Sequence, residues 1–72
     1  MENFINNERL ARNVRVARAR LGISQKELSD KSGIGETTIS FIESGKNKAF
    51  RIATLYKLAN VLQVDVEELI GN

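Results

Sequence analysis

Four side chains near the middle of the chain have the chemistry to recognise another molecule without reacting with it. They occupy outward positions on a predicted helix that begins at residue 35 or 36 and ends near residue 44; they are Glu36, Thr37, Ser40 and Phe41. In the major groove of DNA, a carboxylate accepts a hydrogen bond from cytosine, a hydroxyl donates or accepts, and apolar groups contact the thymine methyl. The pattern predicts contact with base edges.

These side chains also have interpretations that stay within the protein. Glu36 would favour the helix N-terminus through the dipole, and Phe41 would pack on its own domain. The outward face of this helix carries no Arg or Lys, although arginine or lysine bound to guanine is the commonest specific contact. We therefore expect DNA shape and bridging water to carry part of any specificity.

The helix that precedes this one must hold it in place. Ser24 and Glu27 have the spacing of a capping box at the start of a short amphipathic helix. Gly33 ends that helix and supplies the left-handed conformation of a tight turn. Because the turn leaves no room for a longer connection, it fixes the next helix at a steep angle and projects its outer face.

Apolar periodicity predicts three further helices and no strand, so the fold class is all-α with five helices. The first spans residues 8–21 after Asn6 or Asn7 as N-cap, the fourth spans 52–62, and a short fifth is capped by Asp65 with Glu68 and ends at Gly71. The side chains expected to face the core are Leu10, Val14, Ala17, Leu21, Thr38, Ile39, Ile42, Ile52, Leu55, Leu58, Ala59 and Leu62.

Length and charge indicate one small domain with a basic centre. Residues 1–72 are expected to form a single domain, of which residues 1–7 are an N-terminal extension. All eleven basic residues lie between Arg9 and Lys57, where four acidic residues oppose them and leave a net charge of +7, against +2 for the whole chain. Such asymmetry favours a polyanionic partner, although solvated basic faces are also common in small domains.

Several classes of function are not expected. The chain has no Cys and no His, so it lacks a disulfide framework, thiolate metal ligands and the commonest general base. It also has no glycine-rich phosphate loop and no paired carboxylates in a pocket. We therefore do not expect the protein to be an enzyme or to bind a metal, a cofactor or another small molecule. The N-terminus lacks a signal-peptide pattern and no apolar run has membrane length, which predicts a cytoplasmic protein without a membrane partner.

The stretch from about residue 10 to residue 69 resembles the Cro- and phage-repressor-type helix-turn-helix regulators, the xenobiotic-response-element family. The resemblance implies a lambda-repressor-like fold whose second and third helices form the helix-turn-helix. It also implies a sequence-specific transcriptional regulator of double-stranded DNA, acting as a repressor or a controller protein. The chain departs from its relatives at Phe50-Arg51, where they often carry Pro-Ser. The matching residues are Arg18, Leu21, Ser24, Gln25, Leu28, Gly33, Ile39, Ile42, Glu43, Leu58, Ala59 and Leu62.

Phosphate contacts are predicted on both sides of the recognition helix. Relatives set a glutamine against a DNA phosphate at the position of Gln25, where the free amides of the helix start point the same way. The loop of Lys46, Asn47 and Lys48 follows the recognition helix, and Arg51 comes soon after, so we predict that these residues also contact phosphates. A solvated loop is the alternative for the lysines.

Arg18 and Glu43 have a different predicted role. Some phage repressors place an arginine and a glutamate at these positions as a buried ion pair, so the resemblance implies that the pair holds the first helix against the third. A phosphate contact is the alternative for Arg18. The other arginines of the first helix are expected to form a solvated basic surface, from which Arg15 or Arg20 would reach the DNA backbone; they are Arg9, Arg12, Arg15 and Arg20.

A domain with a single recognition helix gains affinity by pairing two half-sites about 34–36 Å apart, so we expect a symmetric homodimer. The predicted interface comprises Val61, opposite the core-facing stripe of the fourth helix, with Val66 and Ile70. In the alternative, Val66 and Ile70 simply close the core. The alternative function is a protein-binding helical adaptor or antitoxin-type partner with the same fold, which the acidic Glu36 would suit.

Overall fold

A computed structural model describes residues 6–46 and 51–71, and within them the chain forms five α-helices and no strand. The all-α, five-helix prediction is confirmed. No helix in this described part of the chain has the length and apolar character needed to cross a membrane. The helices are α1 (Asn7–Leu21), α2 (Gln25–Ser32), α3 (Glu36–Ser44), α4 (Ile52–Leu62) and α5 (Val66–Ile70).

Polar caps at the predicted positions begin α1, α2 and α5. The Asn6 side chain accepts hydrogen bonds from the backbone N–H groups of Glu8 and Arg9, both at 3.0 Å, so α1 starts at residue 7, which we had assigned to the N-terminal extension. Ser24 and Glu27 exchange the two hydrogen bonds of a capping box, each at 3.0 Å. The Glu68 carboxylate accepts from the N–H of the α5 N-cap residue, also at 3.0 Å.

The core lies where the apolar faces of the five helices meet. The first helix, α1, packs against α3, α4 and α5, and α2 packs against α3 and α4. Each helix contributes at least one side chain that is almost fully removed from water, which is the main favourable term in folding. The buried apolar residues are Leu10, Ala11, Val14, Ala17, Leu28, Ile34, Ile39, Ile42, Leu55, Leu58, Ala59, Leu62 and Leu69.

Three residues predicted to face the core are exposed instead. Leu21 is the last residue of α1 and Ile52 the first residue of α4, and Thr38 lies at the flank of the buried stripe of α3. Val61 differs in the opposite direction: it is half-buried and packs against the core, so its predicted position opposite the core-facing stripe is wrong. Its helical angle places it at the edge of that stripe.

The short helix α5 is held by α1. The Asn13 side-chain amide donates hydrogen bonds to the carbonyl oxygens of Leu69 at 2.8 Å and Gly71 at 3.3 Å. These carbonyls belong to the end of α5, where helical partners run out. Leu69 itself is buried, whereas Val66 and Ile70 are half-buried and pack partly against the core.

Candidate nucleic-acid interface

The link between α2 and α3 is short and fixed by hydrogen bonds. Gly33 ends α2 with φ of 77°, and its N–H donates to the carbonyl of Ser29 at 2.9 Å. The Ser29 hydroxyl then donates to the carbonyl of Ile34 at 2.6 Å. Because the Ile34 side chain is buried, the turn is anchored to the core as well as to α2. These hydrogen bonds and the buried Ile34 side chain therefore set the direction in which α3 leaves the turn.

The outward face of α3 includes the four residues that the sequence singled out. On the opposite face, Ile39 and Ile42 are almost fully buried, so the helix cannot rotate without exposing them. Phe41 is 52% exposed, so about half of its surface remains available to a partner. These four residues offer one carboxylate, two hydroxyls and one ring to a partner; they are Glu36, Thr37, Ser40 and Phe41, and Thr38 and Ser44 of the same helix are also exposed.

Beneath this face, Arg18 of α1 forms a bidentate ion pair with Glu43 of α3. Arg18 Nε lies 2.8 Å from Glu43 Oε2, and its Nη2 donates to Glu43 Oε1 at 2.9 Å. A third Arg18 nitrogen, Nη1, donates to the carbonyl of Ile23 at 3.0 Å. The Glu43 side chain is only 4% exposed, and it is the buried charged residue of the described segments.

The contacts of Glu43 keep it ionised. Burial raises the pKa of its carboxyl, but hydrogen bonds from Arg18 and Gln25, with the charges of Arg18 and Arg15, outweigh burial and hold the pKa below its ordinary value. Its partner responds in the matching direction, because the hydrogen bond to Glu43 raises the pKa of Arg18 against the effect of desolvation. The pair is therefore charged at neutral pH.

Gln25 links this ion pair to the outward face of α3. Its Nε2 donates to Glu43 Oε1 at 3.0 Å, and its Oε1 accepts from the Ser40 hydroxyl at 3.1 Å. The sequence predicts a phosphate contact for Gln25 and a base contact for Ser40, but it does not predict a hydrogen bond between them. No local pattern signals this connection, because 15 residues separate the two side chains along the chain.

Arg15 is exposed, as predicted for the basic surface of α1, but it also makes a contact that the sequence did not predict. Its Nη1 donates to the backbone carbonyl of Glu43, near the C-terminal end of α3. The C-terminal end of a helix has carbonyl groups without helical partners and carries a partial negative charge, so an arginine is well suited there. Together with Arg18, this contact fixes α3 to α1.

Candidate phosphate ligands lie around the exposed face of α3. Gln25 is half-buried at the first position of α2, Lys46 is exposed just after α3, and Arg51 is exposed at the N-cap of α4. An amide nitrogen has two hydrogens, so the bond from Gln25 to Glu43 leaves one for a phosphate. Asn47 and Lys48 lie outside the described residues.

The largest exposed apolar side chains of α4 are Ile52 and Tyr56, each 62% exposed and one helical turn apart. Tyr56 borders an open cleft that is also lined by Val66 and Ile70 of α5. Tyr56 is the most exposed apolar side chain that lines this cleft, whereas Val61, which the sequence predicts at the interface, is half-buried.

Comparison of the sequence with known protein families identifies the family of this chain. The model of the helix-turn-helix family matches residues 14–69. The chain belongs to the helix-turn-helix family. Like its relatives in this family, this helix-turn-helix protein is a DNA-binding transcriptional regulator.

Two proteins of Archaeoglobus fulgidus, both described as uncharacterized HTH-type transcriptional regulators, are similar to this helix-turn-helix chain in sequence. One is 42% identical over 57 residues, covering 78% of this chain and 79% of the relative. The other is 36% identical over 53 residues, covering 72% of each.

Two crystal structures share the fold. The restriction-modification controller protein C.AhdI from Aeromonas hydrophila superposes with a TM-score of 0.82 at 24% identity, covering 92% of this chain and 98% of that one. The hypothetical transcription factor NHTF from Neisseria superposes with a TM-score of 0.85 at 29% identity, covering 92% of this chain and 75% of that one.

Proposed function

We propose that this helix-turn-helix protein is a homodimeric repressor or controller protein that acts in the cytoplasm on a pseudo-palindromic operator. Each protomer would place α3 in the major groove, where Glu36, Thr37, Ser40 and Phe41 contact base edges. The observation that carries the proposal is the exposure of all four side chains on a helix whose other face is buried in the core.

Phosphate contacts would set the register of α3 in the groove. Gln25 and Lys46 lie beside α3, and Arg51 follows at the start of α4. We include Asn47 and Lys48 from their place in the sequence between these residues. Such contacts position the protein and supply affinity, but they carry little sequence information.

The dimer would form through α4 and α5, away from α3. Tyr56 provides exposed apolar area on α4, and Val66 and Ile70 line the adjoining cleft. Val61 would contribute only its exposed part, because it packs partly against the core. A symmetric pair of domains then matches two half-sites about 34–36 Å apart.

A second candidate function keeps the fold but replaces DNA by a polypeptide, as a helical adaptor or an antitoxin-type partner would. It is favoured by the exposed carboxylate of Glu36 and by the lack of Arg or Lys on the outward face of α3. The net charge of +7 over residues 9–57 favours DNA instead.

Selection of bound duplexes from a random DNA pool tests the proposal directly. We expect a pseudo-palindromic consensus, bound with an affinity that falls steeply with salt. For a dimer making about six to ten phosphate contacts, the loss should be roughly 10³ to 10⁵ between about 50 and 200 mM salt. No enrichment, or a flat salt response together with capture of a polypeptide partner, would favour the adaptor.

Matched variants locate the interface in the same assay. Glu36→Ala and Thr37→Ala should change which base is preferred, by about 1–3 kcal/mol at the positions they contact. Lys46→Ala should weaken all sequences about equally. If all three variants lower affinity without changing preference, α3 does not contact base edges.

A further inference from the structure

Four side chains form a continuous hydrogen-bonded chain from α1 to the surface of α3. Arg18 donates to both carboxylate oxygens of Glu43, Gln25 Nε2 donates to Glu43 Oε1, and Ser40 Oγ lies 3.1 Å from Gln25 Oε1. It thus connects the buried carboxylate of Glu43 to the exposed residue Ser40 on the face of α3 that is predicted to contact DNA.

The direction of every bond in this chain is fixed by its inner end. An ionised carboxylate only accepts hydrogen bonds, and the lowered pKa of Glu43 keeps it ionised. The amide group of Gln25 must therefore turn its nitrogen toward Glu43, which places its oxygen toward Ser40. A carbonyl oxygen cannot donate, so the proton of the Ser40 hydroxyl lies between the two oxygens.

We propose that Ser40 is a specificity-determining residue that acts only as a hydrogen-bond acceptor, and that Gln25 imposes this polarity on it. The hydroxyl has one proton, which Gln25 occupies, so only lone pairs remain for DNA. In the major groove, those lone pairs match the amino groups of adenine N6 and cytosine N4 and oppose the acceptors of guanine and thymine. Gln25 is a positioning residue in this scheme, in addition to any phosphate contact.

This inference rests on the proposed function, since it requires α3 to lie in the major groove. Its first test compares the sequences selected by the native protein and by Ser40→Ala. We expect one position at which the native protein prefers adenine or cytosine and Ser40→Ala shows no such preference. Ser44→Ala is the matched control: its hydroxyl also lies on α3, but it donates to the carbonyl of Phe41 at 2.9 Å.

A base analogue then tests the amino group itself without altering the protein. Purine in place of adenine, or 2-pyrimidinone in place of cytosine, removes the amino group at that position. The native protein should lose about threefold to tenfold in affinity, the value of one neutral hydrogen bond. The affinity of the Ser40→Ala protein should fall much less on the same change of base. The comparison separates the lost hydrogen bond from any change in the duplex itself.

Gln25→Leu tests the origin of the polarity. Without the Gln25 oxygen, the Ser40 hydroxyl can turn and donate, so discrimination of adenine over guanine, or of cytosine over thymine, should fall about threefold to tenfold at that position. Any loss of a phosphate contact would instead lower the affinity for all sequences equally. In a Ser40→Ala background, Gln25→Leu should leave the preference at that position unchanged.

Three results would overturn the inference while leaving DNA binding intact; the first two come from the comparison with Ser40→Ala. One is a native preference for guanine or thymine at the position affected by Ser40→Ala, and another is no affected position at all. The third is a Gln25→Leu protein, folded by its thermal transition, that weakens every sequence equally. Failure of the native protein to enrich any DNA would overturn the proposed function, and this inference with it.

Discussion

The carboxylate of Glu43 is held by side chains from two other helices, Arg18 of α1 and Gln25 of α2. Moving a charge to a site that is 4% exposed costs several kcal/mol, which the partners must offset. The net gain over apolar side chains of the same size is therefore small. Loss of one partner, however, would leave the desolvation cost without compensation.

Arg18→Met should destabilise the fold by about 3 kcal/mol, the lower end for breaking a buried pair, since Gln25 and Arg15 still stabilise Glu43. Replacing both members, as Arg18→Met with Glu43→Leu, should recover much of the loss. Urea unfolding measures both, with Arg12→Met on the exposed side of α1 as control. An unchanged melting temperature with impaired DNA binding would instead make Arg18 a phosphate contact.

Glu43 should also make stability depend on pH in a defined direction. Its pKa in the folded protein is below the ordinary value of 4.5, so the unfolded chain takes up a proton first as pH falls. The stabilisation is thus fully present above about pH 4.5 and is lost as pH falls through the lower folded pKa. The stability difference between the native protein and Glu43→Gln should shrink from pH 7 to pH 3 in urea titrations. A constant difference would contradict this assignment.

At the scale of elements, the unit of α2, turn and α3 depends on backbone conformation as much as on side chains. Gly33 has φ of 77° and Gly35 has φ of −60°, so only the first glycine occupies the left-handed region. A Cβ atom at Gly33 would meet no atom within 4 Å. Any cost of a side chain there is therefore a cost of the backbone alone.

Gly33→Ala should destabilise the domain by about 1–2 kcal/mol, the cost of the left-handed conformation for an L-residue. Gly35→Ala is the matched control, because a Cβ there meets Thr38 Oγ1 at an ordinary distance of 3.9 Å. Because Gly35 is the N-cap of α3, where alanine is less favourable than glycine, this control should cost no more than about 1 kcal/mol. Thermal unfolding measures the loss of stability in each variant. Equal losses would contradict a specific cost of the left-handed conformation at Gly33.

Local signals allowed the helices to be predicted, and non-local contacts account for what was missed. The capping box of Ser24 and Glu27 and the glycine at residue 33 depend on residues a few positions apart, so they place α2 within a residue. The exposure of Ile52 and the partial burial of Val61 depend on which helices lie nearby, and periodicity does not contain that information. The link from Gln25 to Ser40 likewise requires the packed arrangement of α2 and α3.

At the scale of the whole molecule, most basic residues are separated along the chain from the acidic residues near its C-terminal helix. The basic residues lie from Arg9 to Lys57, whereas the N-cap and first turn of α5 carry the acidic residues Asp65, Glu67 and Glu68. The cleft beside Tyr56 is part of this acidic end, since Asp65 and Glu67 also line it, and its lining residues come from α4, α5 and the link between them. A partner subunit at the cleft would thus leave the outward face of α3 accessible to DNA.

Tyr56→Glu should convert the proposed dimer to a monomer and abolish cooperative occupancy of two half-sites. Because Tyr56 is 62% exposed, the substitution should leave the monomer folded, whereas a charge at the half-buried Val61 would disturb the core. Lys57→Glu, an exposed neighbour on α4, is the control. Sedimentation measures the change. A native protein that sediments as a monomer at high micromolar concentration would overturn the dimer.

The bonds from Asn13 to Leu69 and Gly71 join positions 56 and 58 residues apart. During synthesis the chain leaves the ribosome from its N-terminus, so α1 emerges long before the helix that covers it. Until residue 71 is free of the ribosome, the apolar face that α1 turns toward α5 remains open to chaperones and proteases. The recognition helix α3 is thus synthesised before α5 can pack against α1 and complete the core.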